Sequence, residues 1–341
     1  MDKQLLKKYL RNFLFIAGIF IVINTLVTTG ILNRYYTTIL VLIMIAIIAA
    51  VSLNLASGML GQLVLGHAAF MGLGAYGAAI TGKALFNSGA MDFMMFEWAT
   101  NLSIFIISAI VGGLVAAAAG LLVGTPALRL KGDYLGIMTL GFGEVVIVFL
   151  TNIPKITGGA QGLRGIPRIV NFPIAFWTMV VCVSIIVFIM KSRHGRAILS
   201  IRENEIAAEA VGINLTKYKV ATFSIAAFFG GVSGALFAFI QGFIAPTITS
   251  FGFVKSIEMF VIVVLGGMGS ITGSIISATI LTFLPEALRQ FASYRLLIYS
   301  LILIIMMLVR PQGIFGTTEL SLTGAINKIK GFFSKEKKEG K

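Results

Sequence analysis

Two carboxylates and one imidazole interrupt apolar runs and could do chemistry there: Glu144 in GFGEVV, Glu258 in KSIEMFVIVV and His67 in LGHAAF. An ionisable group at the centre of a bilayer costs about 2.5 to 3.5 kcal/mol even on the mildest scales, so each carboxylate is expected to face a bundle interior. There it lines a polar path or gate, or it holds a neighbouring helix by a hydrogen bond; the residues alone leave both readings open. His67 follows a glycine and is a candidate pathway residue, whereas His194, in the basic stretch SRHGR, is expected to be solvated. Cys182 is the sole cysteine and lies in an apolar run, which excludes an intramolecular disulfide and a cysteine-based zinc cluster. The chain contains no GxxxxGK[ST] phosphate loop, no HExxH and no GxSxG. No catalytic residue, metal ligand or resident cofactor is therefore assigned.

The elements that must position these groups are membrane helices. Of the 341 residues 57% are hydrophobic and 12% charged, and apolar runs recur along almost the whole chain. A spanning helix needs about 20 mainly apolar residues. The spacing predicts spans at roughly 12–29, 36–57, 64–85, 102–124, 134–152, 173–190, 218–243, 254–268, 270–289 and 295–310. The fold class is all-α, a polytopic bundle of about ten spans, with no room for a soluble catalytic domain. Lys3, Lys7, Lys8 and Arg11 ahead of the apolar run from Phe13 resemble a secretory signal, but no small-residue cleavage site follows, so the run is read as a retained first helix.

A net charge of +14 would mark a nucleic-acid partner in a soluble protein, but here the basic residues cluster at the ends of apolar runs. Membrane lipid, not nucleic acid, is the expected partner. With the N-terminus placed inside, 19 of the 27 Lys and Arg residues fall on the cytoplasmic side and 8 outside, which obeys the positive-inside rule and places both termini in the cytoplasm. The segment 87–101, with Asp92 and Glu97, is then external. The basic tail 320–341 is read as a solvated cytoplasmic end near anionic lipid. The external loop with Lys155, Arg164 and Arg168 runs against the rule, which means a special surface there or a miscounted span.

Glycine marks two further segments. In SGMLGQLVLGHAAFMGLGAY, Gly58, Gly61, Gly66, Gly72 and Gly74 either let helices pack closely or break one at membrane depth. TGGAQGLRGIP, from Thr157 to Pro167, is read as a long external turn. The pairs Gly120 with Gly124, Gly230 with Gly234 and Gly269 with Gly273 have the small-xxx-small spacing of close helix packing.

The runs LNLASGMLGQLVLGHAAFMGLGAYGAA, GDYLGIMTLGFGEVV, TGGAQGLRGIP, IRENEIAAEAVGIN, VVLGGMGSITGS and LVRPQGIFG, in that order, resemble the LivM-type permease of branched-chain amino acid ABC importers. The resemblance implies a single permease domain over 1–341, of the type II importer kind, in the bacterial inner membrane. Its implied partners are a second related permease, two cytoplasmic ATP-binding subunits carrying ATP and Mg, and a periplasmic or lipid-anchored substrate-binding protein. It further implies that the loop 191–219 couples to the ATPases through a Glu-Ala-Ala-x-x-x-Gly helix. Ala207, Ala208 and Gly212 stand at that spacing, while Ile206 occupies the glutamate position, so the polar contact is left to Glu203, Glu205 or Glu209. The sequence reads this stretch, Asn204 to Val211, as a short helix ended by Gly212. Related permeases carry urea, other amino acids or amides. A different class, an ion-coupled carrier or channel, would carry a connected set of intramembrane charges.

Overall fold

Apolar segments without water must satisfy their backbone groups internally, and this chain does so almost wholly as helix. The computed structural model describes residues 3–89, 97–128, 130, 132–291, 294–310, 313, 314 and 316. In chain order the elements are α1 (Lys3–Thr28), α2 (Arg34–Asn54), α3 (His67–Asn87), α4 (Glu97–Ala127), α5 (Asp133–Thr151) and α6 (Pro154–Thr157). They continue with β1 (Leu163–Arg164), α7 (Phe172–Lys191), α8 (Arg193–Glu203), α9 (Glu205–Ala210) and α10 (Leu215–Gln241). The last are β2 (Phe243–Ile244), α11 (Phe253–Gly266), α12 (Ile271–Ala287) and α13 (Arg295–Val309). Each of the ten apolar runs is helical, so the fold is an all-α membrane bundle. The tail 320–341, Asp92, and Arg129 with Lys131 lie outside the described residues.

Among the described residues, α2 with its continuation to Met59, α4 from Trp98, α5, α7 and α10 are long and apolar enough to cross a membrane. The run expected at 254–268 is a different object. Helix α11 has 14 residues, about 21 Å at 1.5 Å per residue, which falls short of a hydrocarbon core about 30 Å thick. Beyond the short strand β2 its lead-in is non-helical, and that chain passes inside the bundle, where Ile244 and Phe251 are fully buried. Phe251 fills the space against Tyr76 and Phe237.

Helix α2 forms the axis, buried from Met44 to Asn54 except at Ala46, and it packs against α7, α10, α11 and α12. Beside it α3, α4 and α10 meet backbone to backbone. Gly74 of α3 lies on Gly231 of α10, and Gly112 of α4 lies on the Gly74 carbonyl. Gly234 backs onto the Met71 carbonyl, Gly72 onto Phe251, and Gly120 and Gly124 face Ala227 and Phe223. The spacing of Gly269 and Gly273 reads as one packing pair, but only Gly273 packs helix on helix, against Gly266. Gly269 lies in the α11–α12 turn at φ +93°, a conformation side chains disfavour, and serves the turn instead.

The loop 157–167 is more ordered than a plain turn. Thr157 Oγ1 donates to the carbonyls of Leu150 and Ile153, and β1 pairs antiparallel with β2, Leu163 opposite Ile244. Arg168 donates to the Gln241 carbonyl and Lys83 to that of Arg164, so the basic residues tie the cap together. Helices α7 and α10 each run from this cap to the α8–α9 end, which places the two at opposite ends of the bundle. In a Cys182→Ser chain, single cysteines placed at Ile206 and at Lys155 are therefore expected to react with an impermeant maleimide from opposite sides of the membrane. Labelling of both from one side would overturn this arrangement.

Candidate functional site: the helix break and the α8–α9 elbow

Helix α2 does not simply end. After Asn54 it widens into a π-helical turn, Leu55–Met59, and residues 60–66 are non-helical until α3 starts at His67. In this glycine segment the chain breaks and also packs closely. Gly58 lies against the Asn54 side chain and Gly269, and Gly66 lies on the Thr139 carbonyl of α5. The freed backbone finds partners in side chains: Leu65 N–H donates to Thr139 Oγ1 and Ala68 N–H to Ser256 Oγ. Asn54 is fully buried and clamps the α11–α12 turn. Its Oδ1 accepts from Gly269 N–H at 2.8 Å, and its Nδ2 donates to the Ser270 carbonyl at 2.9 Å and to Ser274 Oγ at 3.0 Å.

The elbow sits directly under this break. Helix α8, absent from the sequence expectations, begins after Ser192, whose Oγ accepts from the N–H groups of His194 and Gly195. That serine, ahead of Ile198 and Ile201 on one face, is the signal that could have found it. Asn204 caps α9 by accepting from Ala207 N–H, and the chain leaves α9 through Gly212 at φ +88°. Leu60, the first residue past the π-turn, packs with Ile198, Ile201 and Ala208. Arg202 lies against both Gly61 and Gly269. Glu205 Oε1 accepts from the buried Lys219 ammonium at 2.6 Å and from Gln62 Nε2 at 3.3 Å.

This geometry corrects two expectations about α9. Ala208 is only 2% exposed and faces its own subunit, so it is a seat for α9 and not a contact for a partner. Glu205 likewise turns inward, to Lys219 and Gln62, because its side chain shares the Ala208 side of the helix. The outward face carries Ile206, 82% exposed, and Val211, 78% exposed, with Ala207, Glu209 and Ala210 beside them. Glu203, at the end of α8, is exposed as well.

The membrane-depth groups divide between the readings: Glu144 bonds a neighbouring helix, while Glu258 pairs within its own. His67 is buried among α2, α3 and α10, its Nε2 at 2.8 Å from Ser52 Oγ and its ring against Gly230, so it is packed between helices. Glu144 lies about 16 Å along α5 from Asp133 and is partly exposed. Its Oε1 accepts from Phe253 N–H at 3.0 Å, which puts a carboxylate on the N-terminus of α11, where the helix dipole favours negative charge. Glu258 is partly buried as well. It pairs with Lys255 one turn earlier at 3.0 Å, and both side chains are partly exposed. No group of three or more His, Cys, Asp or Glu that could hold a metal occurs among the described residues.

Residues 35–310 match the family described as "Branched-chain amino acid transport system / permease component". The high-affinity branched-chain amino acid transport system permease protein LivM of Salmonella typhimurium is 36% identical over 322 residues, 84% of this chain and 72% of that one. The Escherichia coli protein of the same name is 36% identical over 324 residues, 85% of this chain and 72% of its own. The permease protein LivH of Salmonella typhimurium is 31% identical over 185 residues, 54% of this chain and 59% of that protein. No solved structure matches the chain.

Proposed function

Because the chain belongs to the branched-chain amino acid transport system permease family, we propose that it is one of two related permease subunits of an ATP-driven importer for branched-chain amino acids. The observation that carries the coupling is the outward face of α9. Ile206 and Val211 stand almost fully exposed on a short helix whose other side is seated on the bundle, in a chain with no nucleotide-binding loop. Energy then enters through a docked surface. ATP and Mg are held by two separate subunits, and closure of that pair pushes the elbow, which moves the bundle as a rigid body and switches access between the two sides. The charge bias supports a cytoplasmic α8–α9 end and cytoplasmic termini, with the β1–β2 cap outside, where a substrate-binding protein lands. An ion-coupled carrier is the poorer reading, since Glu258 is neutralised by Lys255 and Glu144 caps α11.

The test is co-purification with the companion permease, the ATPases and the binding protein, followed by uptake of leucine, isoleucine, valine and urea into vesicles. ATP-dependent uptake of the three branched amino acids supports the reading; uptake of urea alone replaces the substrate. A charge placed in the desolvated centre of a docking surface costs about 2 kcal/mol or more, so Ile206→Asp with Val211→Asp is expected to weaken ATPase binding by about 30-fold or more. Undiminished co-purification of the ATPases with that double variant would remove α9 as the docking helix.

A further inference from the structure

Glu205 is the one acidic residue of α9 that points away from the docking face, and its carboxylate joins three separate parts of the chain. One oxygen accepts from Lys219, near the start of α10, and from Gln62, inside the break between α2 and α3. Lys219 is buried, and a buried cation is tolerated only when paired and hydrogen-bonded. Around this polar contact Leu60 inserts among Ile198, Ile201 and Ala208, and Arg202 bears on Gly61 and Gly269. Asn54 then ties Gly269 and Ser270 to the end of α2. The α8–α9 elbow thus grips two irregular segments of the bundle through side chains off the docking face: α9 holds the 60–66 break through Glu205 and Ala208, and α8 bears on the α11–α12 turn through Arg202.

We propose that Glu205, with Gln62 and Lys219, is a positioning element that carries movement of α9 into the helix break, so that hydrolysis by the docked ATPases is converted into a change of access. The proposal rests on α9 being the docking helix, but it assigns these residues to transmission and not to docking. Packed elements of this kind have a small set of discrete arrangements, and residues that link them alter coupling without altering binding. Loss of the link leaves the ATPases seated and active while the bundle no longer follows them.

The full complex in vesicles, with uptake and ATP hydrolysis measured together, tests this. Gln62→Ala and Lys219→Met are expected to retain the ATPases in wild-type amounts and to hydrolyse ATP within about twofold of wild type, while substrate moved per ATP falls about tenfold. The Glu205→Lys/Lys219→Glu double variant restores an ion pair of reversed sense, and Gln62 can turn its amide so that the carbonyl accepts from the new ammonium. It is expected to recover the ratio to within about threefold, whereas each single reversal loses it. Uptake and hydrolysis falling by the same factor, an unchanged ratio, or no recovery in the double variant would each overturn the proposal. Gln62→Ala removes one neutral hydrogen bond and keeps the test valid if Lys219→Met fails to fold. Loss of ATPase binding in the Ile206→Asp/Val211→Asp variant is scored separately, so failure of docking and failure of transmission are told apart.

Discussion

Gly234→Leu is expected to leave almost no folded protein. At this position α10 lies on α3 so closely that a Cβ would intrude on the Met71 carbonyl oxygen and would stand 2.9 Å from Ala75 N. Both obstacles are backbone, and neither can move aside as a side-chain tip would. Relief requires α10 to separate from α3, and one helical turn away the Gly74–Gly231 contact holds the same two helices together, with Gly112 of α4 wedged at the same point. Overpacking among side chains costs about 1 to 3 kcal/mol, and here the cost is added to the loss of close contact along a whole interface. Native stability is typically only about 5 to 15 kcal/mol. Size-exclusion chromatography of detergent-extracted protein and its thermal midpoint report the outcome. The control is Gly18→Leu in α1, where a Cβ meets nothing within 4 Å, and it should elute as wild type. A monodisperse Gly234→Leu protein with the wild-type midpoint would show that α3 and α10 do not pack as described.

The bundle was readable because hydrocarbon imposes one rule on every span: twenty or so apolar residues, charges at the ends, glycine where backbones touch. Runs such as 36–57 and 134–152 meet that rule and appear as α2 and α5. Helix α11 obeys it in composition but not in length, since its missing turns are the non-helical chain around Phe251, and hydropathy does not register how an apolar residue is folded. The elbow was half readable. Asn204 as a cap and Gly212 as a stop delimit α9, but which face turns inward depends on Leu60 and Lys219, far away in sequence. Ala207 and Ala208 look equivalent in the chain, and only the fold separates them into an exposed and a buried residue. The partners of the carboxylates were hidden for a related reason. Glu144 lies in an apolar run, but its partner is a backbone N–H at the start of a helix more than a hundred residues later, which residue type cannot signal. Asn54 raised no expectation, because a single amide in LNL carries no periodicity.

At Asn54 the expected order of stability runs against shape. Asparagine and aspartate are nearly isosteric, and leucine is not, but Asn54→Asp is expected to be the more damaging change. The amide both accepts and donates: Oδ1 takes the Gly269 N–H, and Nδ2 gives to the Ser270 carbonyl and to Ser274 Oγ, with Asn54, Ser270 and Ser274 fully buried. Leucine leaves the Gly269 N–H without this acceptor. It does not orphan the Ser270 carbonyl, which still accepts from Ser274 N–H and Oγ. The cost is then near that of one unmade buried hydrogen bond, about 1 to 3 kcal/mol. Aspartate keeps the acceptor for Gly269 but turns an oxygen toward the Ser270 carbonyl, so a buried charge faces a like dipole, which the Arg202 guanidinium against Gly269 offsets only in part. An uncompensated buried charge costs about 3 to 5 kcal/mol, unless the group takes up a proton and then regains part of the donor function. Thermal midpoints of the two variants in detergent should fall in the order wild type, Leu, Asp at neutral pH, and the Asp variant should recover stability as pH is lowered and its carboxyl becomes a donor. Because Asn54 joins the end of α2 to the α11–α12 turn that Arg202 also touches, ATP-driven uptake is expected to fall in the same order. An Asp variant as stable as wild type at neutral pH would mean that the donating side of the amide is not what holds the turn.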